Sequence, residues 1–213
     1  MGDQTALSGE LSRMTGIVRS AFAHHDSNDP VGDLAASLGT ANLETVILFV
    51  TPQADISAIA ARAKDVFAPA KVIGCTTAGE ISSAGYAEGE ILAVGLPRSH
   101  FTTRTILADD LDNYDSQDLI DTMIHNRNAM MAEEPDWAFE FAFLMIDGMS
   151  IKEDNFVSDL SMGLGPVPLF GGSAGDGVDF GTTYILNDGT PHTNAAVLCQ
   201  VRTRCPIRVF KTD

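Results

Sequence analysis

Two intervals of this chain carry one pattern, and that pattern limits the folds open to it. Val46 to Gly74 and Phe143 to Gly171 each span 28 positions. Each begins in a continuous apolar run of strand length, Thr45–Val50 and Phe141–Ile146, the mark of a strand buried on both faces. Each then passes through a helix and a shorter strand, near Val72 and Val167, into a turn of small residues. Strand, helix and strand in that order predict parallel pairing through a crossover. The matched order and turn chemistry favour an internal duplication. The predicted fold is α/β, with mixed sheets flanked by helices and built from two pseudo-repeated β-α-β-β-β units.

Local signals place the remaining elements. Asp29 before Pro30 predicts a helix start, Val31, Leu34, Ala35 and Leu38 its apolar face, and Gly39 its end. Asp55 caps a second helix bearing Ile56, Ile59, Ala60, Ala63, Val66 and Phe67, which Pro69 stops. A third helix is expected from Ser116 to Met131. Ser150 and Glu153 match the S-x-x-E capping box for a fourth, carrying Phe156, Val157, Leu160 and Leu164 inward. Near the N-terminus, Leu7, Leu11, Met14 and Val18 fall at helical spacing while 15–22 also reads as a strand; a strand near Ile17–Phe22 is the expectation. Residues 82–90 read as a loop. Ile91–Leu96 and Phe101–Ile106, joined by 97–100, predict a hairpin, and Thr182–Leu186, Ala195–Val201 and Ile207–Phe210 predict three further strands.

The two small-residue turns are the candidate site. In related units they fall at corresponding carboxyl ends of strands, where open α/β sheets bind ligands. The first offers Gly74, Cys75, Thr76, Thr77, Gly79 and Glu80, and the second Gly171, Gly172, Ser173, Gly175 and Asp176. Asp147, closing the Phe141–Ile146 strand, is a further polar contact. Backbone amides and hydroxyls in such turns suit a closely approached ligand.

Rival chemistries are visible in the same residues. Gly171-Gly172-Ser173-Ala174-Gly175 satisfies G-x-S-x-G, yet the following Asp176-Gly177-Val178-Asp179 is a poor start for the helix that a nucleophile elbow needs. A Ser173–Asp188–His192 triad would lie within 20 residues, whereas such triads draw on separate strands. Cys75 is an alternative thiol nucleophile, with no His or Lys beside it in sequence to activate it. The five histidines, His24, His25, His100, His125 and His192, show no metal spacing, so the metal ligands are unknown.

Composition narrows the partners. With 13 Lys+Arg against 29 Asp+Glu, a formal charge of −16 repels phosphate backbones and anionic membrane surfaces. No apolar run reaches the roughly 18 residues of a membrane span, and 1–14 contain no secretory h-region. The three cysteines, Cys75, Cys199 and Cys205, form no CxxC pair, and a reducing cytoplasm is expected.

The residues 73–81 (Ile-Gly-Cys-Thr-Thr-Ala-Gly-Glu-Ile), Ile146-Asp147-Gly148-Met149, Phe170-Gly171-Gly172-Ser173-Ala174-Gly175-Asp176 and Ala195-Ala196-Val197-Leu198 together resemble the N-terminal domain of the FIST family of intracellular sensory proteins. The resemblance implies residues 1–40 as an N-terminal extension packing on the domain, 41–205 as the sensory domain, and 206–213 as the start of a C-terminal domain. It implies a non-catalytic cytoplasmic module of bacterial signal transduction. Its ligand would be an amino-acid-like metabolite, or haem serving as a nitric oxide sensor. Its output would go to a signalling partner such as a histidine kinase or diguanylate cyclase. The alternative is a hydrolase or thiol enzyme using Ser173 or Cys75.

Overall fold

A computed structural model describes residues 16–82, 85–87, 89–177 and 181–210, with the backbone alone at 80–82 and 85–87. The expected helical spacing over 7–18 falls mostly outside the described residues. The elements run β1 (Arg19–His24), α1 (Pro30–Leu38), β2 (Leu43–Val50), α2 (Ile56–Phe67), β3 (Lys71–Thr76), β4 (Glu80–Ser82), β5 (Gly85–Ala87), β6 (Glu90–Pro97) and β7 (Phe101–Asp109). They continue as α3 (Ser116–Glu133), β8 (Phe139–Ile146), α4 (Glu153–Leu164), β9 (Leu169–Ser173), β10 (Ile185–Asn187), β11 (Thr190–His192) and β12 (Ala195–Thr203).

The larger sheet has the order β1-β6-β2-β3-β10-β11 and the second β7-β12-β8-β9. In each, a strand–helix–strand unit forms a parallel pair, β2 with β3 and β8 with β9. In each, an antiparallel strand flanks that pair, β6 on β2 and β12 on β8, and a further antiparallel strand flanks it in turn. The sets β1-β6-β2-β3 and β7-β12-β8-β9 thus share order and sense.

Side-chain alternation explains how the sheets stack. On β2, Val46, Leu48 and Val50 face α1 and α2, while Ile47 faces the second sheet. On β12, Val197, Cys199 and Val201 face the first sheet, and Ala196 and Leu198 face α3 and α4. The result is four layers, helix–sheet–sheet–helix, with three apolar interfaces. Strands apolar on both faces are required in the middle layers, hence the unbroken runs. Each large side chain fully buried there contributes roughly 1.5–3 kcal/mol.

The helices begin where their caps dictate. The side chain of Asp29 accepts from Gly32 N–H at 3.0 Å, that of Asp55 from Ala58 N–H at 3.0 Å, and that of Asp115 from Gln117 and Asp118 N–H. The expected capping box on α4 does not form. Lys152 occupies the cap position with no side-chain bond, and the Glu153 carboxylate instead accepts from Ser173 Oγ at 2.9 Å. A serine exposed on the adjacent strand end outcompetes the helix's own first turn.

Three other expectations are corrected. The hairpin of 91–96 with 101–106 does not exist, because 97–100 is a corner between sheets: β6 stays in the first sheet and β7 pairs with β12 in the second. Period-2 patterning finds strands but not their partners. The stretch read as a loop at 82–90 contains β5 and the start of β6, with β4 and β5 pairing antiparallel. Ile207–Phe210 forms no strand, its residues largely exposed, and the span 182–186 contributes only the beginning of β10.

The two parallel pairs share a steric requirement. Gly74 lies opposite Leu48 and Gly171 opposite Leu144. A Cβ at Gly74 would stand 2.3 Å from the Leu48 carbonyl oxygen, and one at Gly171 2.0 Å from that of Leu144. Gly172 has nothing within 4 Å of the same atom. Gly74→Ala and Gly171→Ala are expected to cost about 1–3 kcal/mol each through overpacking, whereas Gly172→Ala should change stability by less than about 0.5 kcal/mol. Urea denaturation midpoints check the contrast; equal effects at all three positions would contradict it.

Candidate functional site

The carboxyl ends of β2, β3, β8 and β9 meet at one end of the sandwich. Thr77 N–H donates to the Val50 carbonyl at 3.1 Å, and Ala174 N–H to that of Ile146 at 2.7 Å, so each turn is fastened to its neighbouring parallel strand. Gly175 N–H then donates to the Thr76 carbonyl at 3.0 Å, joining the second turn to the first. A Cβ on Gly175 would lie 2.9 Å from both Cβ and N of Ala78. Only a residue without a side chain allows this approach.

The loop entering β10 closes over the junction. Thr76 N–H donates to the Tyr184 carbonyl at 3.0 Å, and Thr76 Oγ1 accepts from Tyr184 N–H at 3.0 Å. Asp176, buried, accepts from Gly181 and Thr182 N–H and so holds that loop's start. Asp147 is the other anchor, 5% exposed. Its Oδ1 accepts from Met149 N–H at 2.9 Å and from the Thr183 hydroxyl, and its Oδ2 from Asn194 N–H.

Beside this junction a cleft of about 320 Å³ opens between the 147–150 turn, the 181–183 segment and residues 193–194. Ser150, Thr182, Thr183 and Thr193 give it hydroxyls, Asp147 a carboxylate and Met149 a thioether. A carboxylate offers about four acceptor positions, and among the described residues three donors occupy Asp147. One position remains for a cationic or hydroxylic ligand group. The Ser150, Thr182 and Thr193 hydroxyls supply donors for an anionic one.

The residues nominated from sequence divide by role. Thr76, Thr77, Gly175 and Asp176 build the junction, and Asp147 builds the junction and lines the cleft. Gly74 serves strand packing. Gly79, at φ 123°, turns the chain towards β4; Glu80 begins β4, and its side chain lies outside the described part. Gly171 and Gly172 line a different, 190 Å³ hollow between β9 and α4, with Ser173 bound to Glu153 nearby. Thr183, Tyr184 and Asn194 carry no sequence signal, because their roles arise only when distant turns meet.

The rival chemistries lose their groups to other partners. Cys75 points into the layer between the sheets, 5% exposed, and burial pushes its thiol up to about 12. Cys199, across the same layer, is likewise pushed up to about 12 by burial and then by the Glu44 charge. Ser173, Asp188 and His192 do not assemble: Ser173 bonds Glu153, Asp188 pairs with Lys71 at 3.6 Å, and His192 with Asp109 at 3.1 Å.

The class of molecule is a four-layer α/β sandwich with a polar cleft beside converging strand ends. The FIST N domain matches residues 44–213, and the chain belongs to that family, as a sensory domain of signal transduction. No curated protein matches it. Among the described residues no helix is long and apolar enough to cross a membrane.

Thiol accessibility follows from these placements. Cys205 is half-buried while Cys75 and Cys199 are buried, so Ellman's reagent at pH 8 is expected to titrate one thiol rapidly in the native protein and all three in guanidinium. A fast-reacting thiol that disappears in Cys75→Ser would contradict the assignment.

Proposed function

We propose that this domain senses a small zwitterionic or hydroxylated metabolite of amino-acid type in the cleft beside Asp147. One observation carries the reading: a buried carboxylate with one acceptor position left, set among hydroxyls at the junction of the two turns. An ammonium group would take the remaining position on Asp147. A ligand carboxylate would accept from Thr182, Thr193 or Ser150. The haem alternative fits this cleft poorly, since hydroxyls form its walls and no histidine lines it.

Binding here would tie the 181–183 segment to residues 193–194. Those segments lead into β10 of the first sheet and β12 of the second, so occupancy favours one relative setting of the sheets. A ligand shifts such an equilibrium only by its difference in affinity between the two settings. A histidine kinase or diguanylate cyclase would read the outcome as contact with one setting. The free cysteines suit a reducing cytoplasm.

The test is a thermal-shift screen with free amino acids and their amines. A ligand at 100 times its Kd is expected to add about 2.7 kcal/mol to stability. The shift should shrink in Thr182→Val with Thr193→Val, while unliganded stability stays close to wild type. A shift unaltered by those substitutions, or none with any member of the panel, would overturn the reading.

A further inference from the structure

The sequence shows no metal spacing among its histidines, yet the end of β1 gathers metal-binding donors. His24, His25 and Asp26 each offer a ligand atom, and these atoms lie within 4.8 Å of one another. The Asp26 carboxylate faces both rings, its Oδ1 3.3 Å from His25 Nδ1 and its Oδ2 3.9 Å from His24 Nδ1. His24 Nδ1 accepts from Asp26 N–H at 3.3 Å, so that nitrogen is unprotonated, as a metal ligand must be, and its lone pair is directed at that amide.

The surroundings are built for close approach. His25 N–H donates to the Gly89 carbonyl at 2.9 Å, which fixes the turn against β6. A Cβ on Gly89 would lie 3.0 Å from His24 Nε2 and 3.1 Å from His25 Cδ2, so the absence of a side chain there lets both rings sit against the β6 end. Glu90 stands directly opposite His24 in the β1–β6 register, hence on the same face of the sheet. Its Oε2 is buried without a hydrogen-bond partner. An orphaned carboxylate oxygen is costly, and a bound cation would satisfy it. Among the described residues no lysine or arginine pairs with Asp26 or Glu90.

We propose that His24, His25 and Asp26 bind a divalent transition-metal ion of the zinc, nickel or copper type, with Glu90 on the same face orienting the set. Two imidazoles with carboxylates suit those ions over magnesium or calcium, which prefer all-oxygen cages. Bonds of about 2.0–2.1 Å at tetrahedral angles hold ligand atoms about 3.3 Å apart. His25 and Asp26 already have that spacing, and His24, with its ligand atom within 4.8 Å of theirs, closes the set once its ring turns from the Asp26 amide. The site is separate from the cleft but not isolated from the first turn. Thr51 N–H donates to the Glu90 carbonyl at 3.3 Å, and Thr77 N–H to the carbonyl of Val50, next to Thr51.

The test is zinc titration of the untagged, chelator-treated chain by calorimetry, with copper(II) electron paramagnetic resonance as a second readout. One equivalent of zinc is expected to bind, and copper is expected to show hyperfine coupling to two nitrogens. His24→Ala with His25→Ala should abolish binding, and Glu90→Gln should weaken it by about tenfold or more. These positions lie at a strand end, and circular dichroism checks that the variants fold. No zinc binding by the wild-type chain, or binding that survives the double substitution, would overturn the proposal.

Discussion

Main chain pressed directly on main chain is the constraint on which this structure depends. At the carboxyl ends of four strands, backbone amides of one turn reach backbone carbonyls of neighbouring segments without intervening side chains. Gly175 meets Thr76 in this way, and a Cβ on Gly148 would stand 2.0 Å from the Ala174 carbonyl oxygen. Buried backbone groups must find partners, and here Gly175 finds Thr76, and Thr76 finds Tyr184, across the two halves of the chain. The packing of the two sheets and the satisfaction of their turns are therefore one problem with one solution.

The same junction gives the cleft its chemistry. Thr76 is tied to Tyr184, Thr183 to Asp147, and Asp147 to Asn194, whose side-chain amide donates to Asp110 and Asp112 at 3.1 Å each. This chain of bonds crosses from β3 in the first sheet to the end of β7 in the second. A group inserted beside Asp147 meets both sheets at once. Networks of this kind act as units, since each buried polar member is costly once its partner moves. Under the proposed function, that property is what lets occupancy of the cleft alter how the sheets sit on each other.

Much of this was legible in the residues. Continuous apolar runs marked β2 and β8, Asp29 and Asp55 marked helix starts, and the small-residue turns marked the strand ends that converge. What escaped was pairing at a distance. The segment 97–100 looked like a hairpin turn, but nothing in it states which sheet β7 joins; Val197, Cys199 and the other β12 residues decide that by burying both faces of their strand. Glu153 matched a helix cap and went to Ser173, because a capping box is a local signal and the competing serine is remote. Cys75 looked like a turn residue open to ligand, yet the alternation of β3 aims it between the sheets. The cleft residues Thr183 and Asn194 carried no signal at all, being ordinary until folding places them around Asp147.

Native-state hydrogen exchange at the Gly175 amide tests the central claim most directly. If the two turns form one closed junction, this amide should exchange only with global unfolding, showing the same opening free energy as the central β12 amides. Exchange at the rate of an exposed loop, while β12 remains protected, would mean that the turns lie near each other without holding the halves together.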